Sequence, residues 1–72
     1  MLNYLVEYRS DWTAQTKVRG YDDRRKAENY ARQLSDRKHG TAYVVAYMGD
    51  TDRVGHKAFF NGALDHVEGA YA

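Results

Sequence analysis

The spacing of apolar and polar residues along the chain switches between two periods, and each switch marks a change of element. Residues 3–9 read Asn-Tyr-Leu-Val-Glu-Tyr-Arg. This stretch is rich in β-branched and aromatic types, and it ends at the turn-favouring pair Ser10-Asp11. A first strand is expected there. From Thr13 to Arg19, Ala14, Thr16 and Val18 alternate with Gln15, Lys17 and Arg19, the pattern of a second strand with one wet face. Its lysine suits a sheet edge, where charge discourages unwanted pairing.

Gly20-Tyr21 is expected to break that strand, after which the period becomes helical. Asp22 or Asp23 can accept the free N–H groups of a first turn, and Ala27, Tyr30, Ala31 and Leu34 follow at i, i+3, i+4 and i+7. One helix over about 23–38 is the reading. Its polar side carries Arg25, Asn29, Arg32 and Asp36, with Glu28 and Arg32 spaced for an i,i+4 ion pair. Lys38 and His39 suit the negative end of the helix dipole, and Gly40 is expected to stop the helix in the left-handed conformation.

Residues 41–48 are apolar on both faces, as in a central strand: Ala42, Val44 and Ala46 leave room for a helix, while Tyr43, Val45 and Tyr47 point the other way. A turn at 49–52 leads into a hairpin of residues 53–60 and 63–68. Asn61-Gly62 supplies the positive φ angles of its two-residue loop. The tail from Gly69 to Ala72 is expected to fray. Strand, strand, helix and three strands make an α+β domain, ββαβββ, with residues 1–72 as one unit. Short connections give the antiparallel order 2-1-3-4-5, with the helix on one face and the other face open.

A chain of 72 residues buries only a little over half of its unfolded surface, and with no cysteine neither disulfides nor thiolate zinc sites reinforce it. No apolar run is long enough for a membrane span and no signal peptide is recognisable, so a cytoplasmic protein without a membrane partner is expected. The net charge of +1 is unevenly spread. Residues 1–40 hold nine Lys/Arg against six Asp/Glu, and residues 41–72 hold two against four.

Catalysis is disfavoured. Cysteine is absent, Ser10 and Ser35 lack the glycines of a nucleophile elbow, and there is no phosphate-cradling loop or dinucleotide fingerprint. His56, His66, Asp65 and Glu68 invite a metal reading. With Asn61-Gly62 as the loop, however, regular pairing sets Phe59 opposite Leu64, Lys57 opposite His66 and His56 opposite Val67, which puts the histidines on opposite sides. A shared metal then requires a bulge or another register, so no metal and no cofactor are expected. Asp50-Thr51-Asp52 lacks the glycine and distal glutamate of a calcium loop and reads as a turn.

Seven tyrosines among ten aromatic residues are the compositional oddity. Tyrosine serves interfaces and base-stacking platforms alike, and Tyr43, Tyr47 and Phe59 are expected to line the open face. Arg25, Arg32, Arg37 and Lys38, with Arg19, Arg24 and Lys26, form the basic candidate surface for nucleic acid. Interleaved Asp22, Asp23, Glu28 and Asp36 favour plain solvation of that helix instead.

The element order, the helix closed by His39-Gly40-Thr41 and the final hairpin, together with Ala27 and Ala31, resemble a group of very small phage-encoded proteins. Among them is a ββαβββ anti-CRISPR inhibitor of type I-F surveillance complexes. The resemblance implies a protein that coats a backbone subunit of the RNA-guided complex and obstructs target DNA through basic helix residues. Glu28, Asn29 and Gln33 stand where basic residues belong in that pattern, so no contact residue carries over. The functional expectation is a small non-catalytic binding protein that inhibits a host protein or ribonucleoprotein. A nucleic-acid-binding module and a homodimer paired through its sheets are the other two readings.

Overall fold

The computed structural model describes residues 2–10, 14–38, 40–49 and 51–71. Its elements are β1 (Leu2–Ser10), β2 (Thr16–Tyr21), α1 (Arg24–Arg37), β3 (Gly40–Met48), β4 (Asp52–Phe60) and β5 (Ala63–Gly69). The strands form one antiparallel sheet in the order β2-β1-β3-β4-β5, the expected ββαβββ arrangement. Asp11 of the first expected turn, His39 at the helix end and Asp50 of the second turn lie outside the described residues.

Of the two candidate caps, Asp23 is the one used. Its carboxylate accepts from the backbone N–H groups of Arg25 (2.8 Å) and Lys26 (3.2 Å), satisfying two donors that the first helical turn leaves without partners. Ala27, Ala31, Leu34 and Ser35 are buried, and they meet Tyr4, Val6, Ala42, Val44, Ala46 and Phe59 of the sheet. Each fully buried valine contributes about 1.5–3 kcal/mol. Tyr30 sits at the margin of this core, its ring 6.0 Å from that of Tyr21.

The hairpin turn is as expected: Asn61 (φ 53°) and Gly62 (φ 80°) both take positive φ. The turn is tied to the helix, because Gly62 N–H donates to Ser35 Oγ at 3.0 Å.

Several local expectations are corrected. The helix does not stop on a left-handed Gly40; that residue opens β3, and its missing Cβ makes room for the Arg9 carbonyl and the Tyr8 hydroxyl, each 2.5 Å from where the carbon would stand. Glu28 pairs with Arg24 (3.9 Å) and Lys57 (3.5 Å) rather than with Arg32, whose guanidinium lies over the Phe59 ring. In β2, which continues through Gly20, a bulge opposite Val6/Glu7 leaves Val18 outside the register. Lys17 pairs with Glu7 and Arg19 with Val6, so these two residues face opposite sides and the simple alternation fails.

The tail from Gly69 to Tyr71 is held rather than frayed, and Ala72 lies outside the described residues. At Gly69 (φ 71°) the chain turns back over Gly55; Ala70 N–H donates to the Val54 carbonyl at 2.9 Å, and Tyr71 is buried with its hydroxyl donating to Glu28 at 2.6 Å. A Cβ on Gly55 would stand 2.6 Å from the Glu68 carbonyl oxygen, so the tail can close only over glycine.

Phe59 does not line the open face. It is fully buried under the helix, and its neighbour Phe60, 44% exposed, takes the opposite side. Phe59→Ala is therefore expected to cost about 3–5 kcal/mol. Phe60→Ala should stay within about 1 kcal/mol, as surface changes do. Chemical denaturation of the two variants measures the difference.

Candidate functional site on the open sheet face

Residues that oppose each other in an antiparallel ladder share a face, so the register defines the side away from the helix. It carries Leu5 and Glu7 from β1, Tyr43, Val45 and Tyr47 from β3, His56 and Ala58 from β4, and His66 and Glu68 from β5. At its centre Val45 and Ala58 are fully buried and Tyr43 nearly so, with Tyr47 packed beside them. No helix lies above this cluster; the longer side chains around it provide the cover.

One part of that cover is a polar network. Glu7, only 6% exposed, accepts hydrogen bonds from the Gln15 side chain and from Tyr47 Oη (3.4 Å), and the Arg53 guanidinium lies 3.9 Å away. A carboxylate removed from water needs such partners, and removing one leaves the charge under-compensated. Glu7 thereby ties β3, β4 and the residue that precedes β2 to β1 across the face.

The second part is a histidine pair, and here the regular register fails. Pairing starts as expected with Phe60 opposite Ala63 and Phe59 opposite Leu64, but a bulge then shifts it: Ala58 faces His66, Lys57 faces Val67 and His56 faces Glu68. Asp65 is the extra residue. The one-residue offset moves His66 to the side of His56, contrary to the opposite-sides expectation. The two Nε2 atoms are 2.9 Å apart, Asp65 Oδ2 lies 2.6 Å from His66 Nδ1, and the His56 ring stands edge-on to Tyr43 with centroids 5.5 Å apart. Burial and the neighbouring His66 both hold the His56 pKa below 6.5, outweighing the pull of Glu68 in the other direction.

The residues expected to meet a partner are not gathered in one place. Tyr43 is on the open face but buried, Tyr47 is there and half-buried, and Phe59 is in the main core. Arg25 and Arg37 are exposed on the helix. Arg32 and Lys38 each lay their cation over a ring, Phe59 at 5.1 Å and Tyr8 at 5.6 Å. Basic side chains come together instead around a groove of about 660 Å³ at the β2 edge, lined among others by Lys17, Arg19, Lys26, Tyr21 and Tyr47.

The sequence reading missed Glu7, Arg53, Phe60 and the convergence of the histidines. The lone acid between Val6 and Tyr8 was a usable signal. The bulge had none beyond the histidines themselves. No family model, curated protein or solved structure matches the chain.

Because the folded protein keeps His56 neutral, the unfolded chain takes up the proton first as pH falls. The stability associated with neutral His56 is complete above pH 6.5 and is lost as pH falls from 6.5 through the lower folded value. His56→Gln should flatten the stability curve in that window. In His66→Gln, imidazole NMR titration should show the His56 midpoint moving up, since one cause of its depression is gone.

Proposed function

We propose that the protein is a non-catalytic binding protein that attaches to a host protein or ribonucleoprotein through its open sheet face. In this reading it acts in the bacterial cytoplasm and inhibits its target, in the manner of the phage-encoded group that its element order resembles. The observation that carries the proposal is the make-up of that face. Tyr47 and the exposed Phe60 supply apolar contact, while Lys17, Arg53 and Glu68 are charged residues around them. Phe60 opposite Thr41 and Tyr47 opposite Arg53 mark the two ends of this face, so apolar contact is spread among charged residues, a mixed composition that protein interfaces share. A fold this small, with its single helix on one side, leaves the other side as the broad surface for a partner.

The test is capture from bacterial lysate by the immobilised full chain, run beside Phe60→Asp and the helix variant Arg25→Glu. A stoichiometric partner retained by Arg25→Glu and lost by Phe60→Asp is expected. Failure to retain any such partner, or loss through the helix variant alone, would sink the reading.

A second reading, nucleic-acid binding, is favoured by the groove that Lys17, Arg19 and Lys26 line beside three tyrosines and the single acid Asp22. It predicts affinity for DNA or RNA that falls by orders of magnitude between about 50 and 200 mM salt. On the protein-partner reading the free chain shows no such binding.

A further inference from the structure

Three side chains of the last hairpin aim their ligand atoms at one point. Nε2 of His56 and Nε2 of His66 are 2.9 Å apart, Oε2 of Glu68 is 3.8 Å from the first, and all three lie within 4.8 Å of one another. Chemistry limits what can occupy that point. The Asp65 carboxylate, 2.6 Å from His66 Nδ1, accepts a hydrogen bond and so keeps a proton on that nitrogen. A neutral His66 then presents a bare lone pair at Nε2. His56 can approach it only by donating its own Nε2–H, and two protonated rings could not share the position. The two Nε2 atoms thus meet through a single N–H···N hydrogen bond, and a change of tautomer at His56 turns both lone pairs toward the same point.

We propose that His56, His66 and Glu68 form a binding site for a divalent transition-metal ion, zinc foremost. Zinc bound to imidazole at about 2.0–2.1 Å holds neighbouring ligand atoms about 3.3 Å apart in a tetrahedron. The observed 2.9 and 3.8 Å lie on either side of that spacing, and rotation of the exposed Glu68 side chain brings the third pair, now within 4.8 Å, into range. Two imidazoles and one carboxylate suit zinc, whereas magnesium and calcium prefer oxygen ligands alone.

The surroundings are those of a metal site. Asp65 fixes the tautomer and aims the ring of His66, the usual role of a carboxylate behind a ligating histidine. Tyr43 packs against the ring of His56. The bulge that adds Asp65 also brings His66 to this face, so one irregularity supplies both the ligand and its support. Three protein ligands leave a fourth position for water. Ligation needs the Nε2 lone pair of both rings, so the proton of His56 moves to its Nδ1, and affinity declines in acid where the rings take up a second proton. None of this rests on the partner reading.

The experiment is calorimetric titration of the chelator-treated full chain with zinc chloride at neutral pH, with the histidine ring signals followed by NMR. One saturating equivalent is expected, with shifts at His56 and His66. His56→Gln and His66→Gln, each checked for folding by circular dichroism, should each weaken binding at least tenfold, and Asp65→Asn by about tenfold. Magnesium should not compete. Absence of saturable zinc binding, or zinc affinity unchanged in His66→Gln, would overturn the site and leave the two rings joined by a hydrogen bond alone.

Discussion

The rest of this structure depends on how closely one helix can lie on the sheet. The contact is made by small residues from both sides, Ala27 and Ala31 against Ala42, Val44 and Ala46, all of them fully buried. Larger residues there would lift the helix and open space that the chain has too few side chains to fill. The close approach lets Tyr4, Val6, Phe59 and Leu34 complete a core around the alanines. It also brings Gly62 N–H to Ser35, fixing the hairpin turn against the helix. One helix of fourteen residues cannot cover both sides of five strands, so the open face follows from the same economy of length.

With no cysteine in the chain, the two faces are held at their margins by carboxylate networks of similar design, one around the buried Glu7 and one around the partly buried Glu28. On the helix side Glu28 accepts from the Tyr71 hydroxyl and pairs with Lys57 and Arg24. On the open side Glu7 accepts from the Tyr47 hydroxyl and Gln15 beside Arg53. Each carboxylate joins segments far apart in the chain. Such networks favour one arrangement over its near alternatives because a slipped register would leave a charge in the interior without partners.

The features that bear on function sit at the irregular places. The β2 bulge sends Lys17 and Arg19 to opposite faces, and the β5 bulge turns His66 toward His56. A bulge gives up ladder hydrogen bonds and gains a new direction for a side chain. The direction gained here joins an acid, two imidazoles and a second acid on one hairpin.

Element order, the helical cap region and the hairpin turn were readable from the chain itself because each is set by neighbours in sequence, and the sheet order followed from short connections that leave β3 its place beside β1. Asn61-Gly62 favours its own backbone angles, Ala27 and Ala31 lie on one helical stripe, and Ala42, Val44 and Ala46 share one face of a strand through a period of two. Tertiary structure alone decided what lies at long range. A period of two cannot announce a bulge, since inserting one residue reverses every later side chain without altering composition, and so the histidines came out on opposite sides by arithmetic and on the same side in space. Adjacent phenylalanines are equally apolar, and only the register with Ala42 placed Phe59 in the core and Phe60 outside. The tail looked free because nothing local holds it; Tyr71 is fixed by Glu28, forty-three positions earlier, and by a glycine whose lack of a side chain matters only once the chain has returned to it.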